Sequence, residues 1–260
     1  MSGSLSRHAN ADLASEAWGF ALESFAAAAP GGWSRQAGSN ARIVFTGAPI
    51  GIVNGVFLPS REHDVGEISA ALALFDSHGP WTLQVRGEPG AEVARVAAEH
   101  GLARRVTAPL MIRSLTADDV GRPAVGAPFV RVVTGADQEA YGQALAEGKQ
   151  VPRSTFEIFT RPPLLDAPHT HGYLAEKDGV GVSTAMTVRS DAVLGVFNVA
   201  TVPAHRNRGY ARAVTEAALS HGRRSGARIA FLHPTPVAER LYRDMGFEAV
   251  EDWTIFTTAN

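Results

Sequence analysis

The residues best placed to do chemistry lie between Val196 and Phe247. Arg206-Asn207-Arg208-Gly209-Tyr210-Ala211 follows an apolar, strand-like run that breaks at Pro203, and it opens a helical pattern from Tyr210. A strand that ends at a helix start presents unpaired amides, and the helix dipole favours negative charge there. Gly209 removes the side chain that would hold a phosphate away from the backbone, and small Ala211 lets the first helical turn approach. Arg206 and Arg208 can add charge-assisted hydrogen bonds to phosphate oxygens. Asn207, Tyr210 and Arg212 complete the candidate cradle. Farther on, Thr235 to Phe247 reads TPVAERLYRDMGF. Thr235 is a candidate N-cap, Pro236 suits the first helical position, and Gly246 fits a left-handed C-terminal residue. Ala238, Leu241, Tyr242 and Met245 share one face of that helix.

Together these two stretches resemble the GNAT superfamily of acyl-CoA N-acyltransferases. The family's phosphate turn, Arg or Gln-x-x-Gly-x-Gly or Ala, is matched by Arg206, Gly209 and Ala211. Its later helix, Ala-x-x-Leu-Tyr-x-x-x-Gly-Phe, is matched by Ala238, Leu241, Tyr242, Gly246 and Phe247. The resemblance covers roughly residues 128 to 260. It implies an acetyl-CoA-dependent N-acetyltransferase acting by direct transfer, without metal. It assigns pairing of the pantetheine arm to the backbone of Val199, Ala200 and Thr201. Tyr242 takes the place of the tyrosine that protonates the departing thiolate, a role suited to a phenol with a pKa of about 10. Thr235 stands where many relatives have an asparagine that bonds the CoA arm.

The general base is left open. The position where many relatives carry a glutamate falls near Gly195, so Glu157, His169 and His171 remain water-relayed alternatives. Asn198, a polar residue in an apolar strand, is either a structural hydrogen-bonding residue or an acceptor contact. His205, Arg223, Arg224 and Arg240 could approach the CoA nucleotide. Phe156, Glu157 and Phe159 are candidate acceptor-lining residues. His169-Thr170-His171 lacks a third ligand and makes a poor metal site.

The positioning elements follow from pattern. Helices are expected near 12–28, 65–78, 91–100, 137–148, 154–160, 210–223 and from Thr235, and strands near 41–46, 51–58, 81–86, 106–113, 129–133, 172–176, 180–188, 193–202, 228–232 and 249–257. Leu115 to Pro128, rich in Gly, Pro and Asp, reads as a linker. The expected class is mixed α/β, with two GNAT-like domains (1–115 and 129–260, linked by 116–128), each a central mixed sheet flanked by helices. In the second, the core strand splays beside the pyrophosphate-binding turn.

The halves look like copies of one plan. Asn54 to Pro59 aligns without gaps on Asn198 to Pro203, which sets Glu62 opposite Arg206, Val65 opposite Gly209 and Glu67 opposite Ala211. Carboxylates there would repel a pyrophosphate, so the first half is expected to be degenerate.

Of the 260 residues, 45% are hydrophobic and 19% charged, and the net charge is −2, which exerts no general pull on nucleic acid or anionic membranes. With no cysteine, a disulfide, a thiolate metal site and an acyl-cysteine route are excluded. No apolar run approaches a membrane span or a signal core, so a cytoplasmic protein is expected, and two fused halves leave either a monomer or a homodimer open. The leading acceptor is a small-molecule amine. A protein lysine side chain and a non-catalytic acyl-CoA sensor are the alternatives.

Overall fold

The computed structural model describes residues 2–75, 79–120 and 128–258, with side chains from residue 7 onward. The chain forms two compact units. The first contains Met1–Met111, His233–Glu239 and Glu248–Asn260; the second contains Ile112–Leu232 and Arg240–Phe247. The last strand, expected to close the second half, therefore pairs within the first unit.

In the first unit, α1 (Ser2–Ala28), α2 (Val65–Ala73) and α3 (Ala91–Glu99) accompany β1 (Trp33–Ala37), β2 (Ala41–Phe45), β3 (Gly55–Leu58), β4 (Thr82–Arg86), β5 (Arg104–Ser114, counted in the second unit from Ile112) and β11 (Glu248–Thr257). The strand order is β1-β2-β3-β4-β11-β5. β3 and β4 run parallel, while β1/β2, β2/β3 and β4/β11 are antiparallel, so the sheet is mixed. α1 buries Ala11, Ala14, Trp18, Ala21, Leu22 and Phe25, the three-and-four spacing of a helix with one core-facing stripe. β11 belongs here because Trp253, 1% exposed, stacks on Phe57 and meets Trp18 edge-on.

His233 sits in that aromatic nest, 4.5 Å from the Trp253 ring and 5.3 Å from Trp18, with Nδ1 bonded to the Pro109 carbonyl at 3.1 Å. Burial pushes its pKa down to about 4 from 6.5. A base kept neutral in the fold but protonated when unfolded stabilises the fold above pH 6.5. That contribution is lost as pH falls toward 4, for a total of about 3 kcal/mol. Urea titrations between pH 4.5 and 7.5 are expected to show this slope, and His233→Phe to flatten it. An unchanged slope would contradict the assignment.

The second unit holds β6 (Val130–Val133), α4 (Gln138–Lys149), a 3₁₀ segment (Arg153–Phe159), α5 (Pro162–Leu165), β7 (Thr170–Lys177), β8 (Val180–Ser190), β9 (Val193–Thr201), α6 (Tyr210–Arg224), β10 (Ile229–Leu232) and α7 (Glu239–Arg243), of which Glu239 is counted in the first unit. Its strand order is β10-β9-β8-β7-β6, with β9/β10 parallel and the rest antiparallel. The β7–β8 hairpin turns at Asp178 (φ 53) and Gly179 (φ 79), the left-handed pair that the Lys177-Asp178-Gly179 signal predicts. α6 packs Ala213, Val214, Ala218 and Leu219 inward.

Elements depart from expectation where proline or buried polar groups intervene. Gly51–Val53 is a 3₁₀ turn rather than strand, because buried Asn54 bonds Thr46, Ala48 and Ile50 around it. The helix expected at 154–160 is the tighter 3₁₀ Arg153–Phe159, followed by α5 at Pro162-Pro163. β1 was not anticipated; its burial pattern is mostly exposed, leaving little periodicity to detect. α2 ends at Ala73, and residues 76–78 of its expected span lie outside the described residues. In the expected linker, Ala117–Val120 is 3₁₀, and 121–127 lie outside the described residues. No helix among the described residues is long and apolar enough to cross a membrane.

Candidate active site

β9 is the strand around which the site is built. Against β10 its pairing covers only Val193, Leu194 and Gly195, whereas against β8 it continues to Thr201. β10 ends at Leu232, so from Val196 onward the edge of β9 on that side has no ladder partner from β10 and its main-chain groups are left to bond elsewhere. In the other ladder, Met186 pairs with Phe197 but Thr184 with Ala200, so one extra residue is accommodated in β9. Asn198 takes it up at φ 52. Such a bulge bends and twists its strand, and asparagine tolerates the left-handed region better than most residues. The Asn198 carbonyl accepts from Thr184 Oγ1 at 2.9 Å, and its amide lies 3.9 Å from Met186 Sδ. Asn198 thus has a structural task, one of the two readings left open by the sequence.

Gly195 marks where the pairing with β10 ends. A Cβ there would stand 2.6 Å from the Phe197 ring and 2.9 Å from Phe231, two rings in edge contact at 6.0 Å. A side chain at Gly195 would require both rings to shift. Gly195→Ala is expected to destabilise the protein by roughly 1–3 kcal/mol through overpacking, measured by urea denaturation. A stability change below about 0.5 kcal/mol, the level of an ordinary surface substitution, would contradict this.

β9 leads through the 3₁₀ turn Pro203–His205 into Gly209, which caps α6 at φ 81. No side chain caps α6 and no acidic residue lies in its first turn, so its leading amides lack the usual internal acceptor. Nothing stands within 4 Å of a Cβ placed on Gly209, and Arg206, Asn207, Arg208 and Gly209 are exposed. Asn207 (φ 58) and Gly209 both bend the turn through left-handed backbone. Left-handed residues on either side of Arg208, before an uncapped helix, turn backbone donors toward one concave surface suited to a diphosphate.

The two expected arginines divide the work. Arg206 turns back: Nε donates to the Thr201 carbonyl (3.1 Å), and Nη2 donates to Gly148 (2.9 Å) and Gln150 (3.1 Å). It clamps the end of β9 to the end of α4. Arg208 has no ion pair or hydrogen bond among the described residues and stands free at the turn. Arg212 lies 3.8 Å from Glu216, and Tyr210 packs edge-on to His205 at 5.9 Å. Arg223 and Arg224 do not approach the turn; they occupy the opposite end of the 15-residue α6, about 20 Å away, bonded to Thr116 and Ser220. Arg240 is exposed beside Asp244.

Tyr242 is 6% exposed and packs edge-on to Phe247 at 5.8 Å, while its hydroxyl bonds no described residue. The ring is buried while the hydroxyl keeps contact with solvent, so it is free to donate to a ligand atom. Burial pushes its pKa up to about 12, keeping it protonated and able to donate. Its carrier is shorter than expected. Residues 236–238 form a turn, with Ala238 N donating to Thr235 at 2.9 Å, and the helix proper starts at Glu239. The Thr235 side chain caps nothing, and Thr235 is counted with the first unit.

Candidates for the base are scattered. β9 carries no ionisable side chain. Glu157 is exposed and paired with Arg161 at 3.4 Å. His171 meets His221 edge-on at 4.4 Å, and His221 Nδ1 lies 2.9 Å from the Tyr173 hydroxyl. The His171 and Tyr173 side chains face α6, whereas the Leu174 side chain, and the direction a Cβ on Gly172 would take, face α4, as strand alternation requires. Burial lowers the pKa of His169, His171 and His221. No metal-binding cluster occurs among the described residues.

In the first unit, the strand and helix start that align in sequence with β9 and α6 are satisfied internally. β3 stays paired with β4 from Gly55 to Leu58. Beyond it, Arg86 donates to the Pro59 carbonyl at 2.8 Å and joins Glu251 through Nε (2.7 Å) and Nη2 (2.9 Å). The strand ends are stitched, whereas β9 goes unpaired with β10 beyond Gly195. At the helix start, Asp64 caps α2 by accepting from Glu67 N at 2.8 Å, and the Glu67 carboxylate bonds Asn40 N at 2.7 Å. An internal carboxylate thus takes the amides that α6 leaves open. The observed caps align Asp64 with Gly209, one residue earlier than sequence register predicts.

Comparison with known proteins matches residues 139–247 to the family described as Acetyltransferase (GNAT) family. No functionally curated protein sequence is significantly similar to the chain. Among solved structures, a GCN5-related N-acetyltransferase from Kribbella flavida is similar over 96% of each chain at 22% identity, with a TM-score of 0.66. A putative GNAT acetyltransferase from Novosphingobium aromaticivorans matches 86% of this chain and 91% of its own at 16% identity and TM-score 0.54. A functionally unknown conserved protein from Staphylococcus epidermidis matches 88% and 94% at 10% identity and TM-score 0.59.

Proposed function

The chain belongs to the GNAT superfamily and carries an N-acetyltransferase domain, and we propose that it transfers an acetyl group directly from acetyl-CoA to a primary amine of a small molecule. The observation that carries this reading is the end of β9's pairing with β10 at Gly195, beside the uncapped start of α6. The edge of β9 at Val199, Ala200 and Thr201 would pair the pantetheine arm. The amides of Asn207 to Ala211 would hold the diphosphate, with Arg208 supplying charge. A β9 amide near Val199 would meet the oxyanion of the thioester under attack. Tyr242 would hand its proton to the departing thiolate. Since β9 offers no ionisable side chain, the attacking amine would lose its proton to water.

Arg206 serves in this scheme as a positioning residue, holding the turn against α4. The first unit would bind no CoA, its amides and strand ends being satisfied internally. Incubation of the full chain with acetyl-CoA and pooled small amines, or a lysine-rich protein, tests the reading by release of free thiol. Release with small amines is the expected result. Release only with the protein substrate would reassign the acceptor, and binding without turnover would make the chain a sensor.

A further inference from the structure

We propose that Lys149 reads a carboxylate on the acceptor, so that the small amine is one carrying an acid group, as an amino acid does. The inference deepens the reading above and rests on it. Gly148 seats the end of α4 directly on β9: a Cβ there would stand 2.8 Å from Ala200 Cβ and 3.0 Å from Thr201 N. The next residue is thereby fixed beside the stretch of β9 that has no β10 partner. Lys149 extends toward the 3₁₀ segment, with Nζ 6.0 Å from the centroid of Phe156.

Unlike the cations nearest to it, Lys149 carries a charge with neither carboxylate nor hydrogen-bond acceptor beside it among the described residues. Arg206 is held by two carbonyls and Gln150, Arg153 by Glu139, and Arg161 by Glu157. Lys149 has no carboxylate and no hydrogen-bond acceptor among the described residues; the aromatic ring is its one attractive contact there. Nor does it serve as a helix cap. The carbonyls of Ala146 and Glu147 accept from the Gln150 and Val151 amides, and that of Gly148 from Arg206. Withdrawal from water lowers its pKa. The ammonium is partly withdrawn from water and still touches solvent, and a ligand carboxylate would supply both a counter-charge and a hydrogen-bond acceptor.

The same ammonium chemistry would also suit the donor's diphosphate, and the test separates the two. The full chain, saturated with CoA, is titrated calorimetrically with a panel of N-acetylated amino acids and with their carboxamides. Wild type is expected to prefer the acid by about 30-fold or more, the range of a charge-assisted hydrogen bond. Lys149→Met, which keeps the apolar stem over Phe156, is expected to reduce that preference below about 3-fold, and Lys149→Arg to retain most of it. Acetyl-CoA affinity should stay within about twofold in both variants, since no donor contact is removed. Equal binding of acids and amides by wild type, a preference surviving in Lys149→Met, or a tenfold loss of acetyl-CoA affinity would each overturn the proposal. Thiol release is scored separately on the same preparations. Acid-selective binding without turnover would sink the catalytic reading and leave the carboxylate site standing.

Discussion

Tyr242→Phe is expected to lower kcat by about 10²-fold or more, the range of a positioned general acid, while acetyl-CoA affinity and unfolding midpoint stay nearly unchanged. The hydroxyl makes no hydrogen bond to a described residue, so its removal orphans no partner. The ring's contact with Phe247, at 5.8 Å, is retained. A purely packed tyrosine would give full activity in the variant. The pH profile gives a second readout. With its pKa near 12, the phenol stays protonated across the working range, so no loss of rate from its ionisation is expected below about pH 10. Single-turnover thiol release and equilibrium binding, run on the same variant, separate the acid role from donor binding.

Gly209→Glu is expected to weaken acetyl-CoA binding by about 10²-fold or more while leaving the protein folded. Two effects combine. A Cβ at φ 81 costs about 1–2 kcal/mol as left-handed backbone, and a carboxylate at the helix start opposes a diphosphate. The first unit carries the natural precedent, since Asp64 occupies the corresponding cap and Glu67 the first turn of α2. Because nothing lies within 4 Å of the added Cβ, the damage should fall on the ligand rather than the core. Gly209→Ala separates the causes: it carries the backbone strain without the charge and should lose less affinity. Calorimetric titration with acetyl-CoA reads both.

The turn and the Tyr242 segment were legible in the sequence because their chemistry is local. Glycine at a left-handed cap, an apolar strand ending at proline and a Gly-Phe helix stop each leave a mark within a few residues. The likeness between the Asn54 and Asn198 stretches was also visible, yet the two asparagines serve different ends. Asn198 spends its asparagine on a bulge at φ 52, whereas Asn54 ties a loop with buried hydrogen bonds. The same residue type answers two backbone problems, and only the ladder register distinguishes them.

The less legible features depend on distant partners. Arg206 reads from sequence as a phosphate ligand; that it also bonds Gly148 in α4 and Gln150 just beyond that helix depends on partners more than 50 residues away. Arg86 carries no motif, yet with Pro59 and Glu251 it stitches the first unit's strand ends. The return of β11 to the first unit depends on Trp253 finding Phe57 and Trp18, contacts nearly 200 residues or more apart in the chain. Lys149 reads from sequence as an ordinary basic residue ending a helix; only the absence of an opposing charge among its described neighbours singles it out.

Calorimetric titration of the full chain with acetyl-CoA tests the central claim most directly. One site per chain is predicted, abolished by Gly209→Glu, with no second site revealed when the first is lost. Two equivalent sites, or undiminished binding in that variant, would place the donor elsewhere and contradict the assignment of the β9 edge and the α6 start.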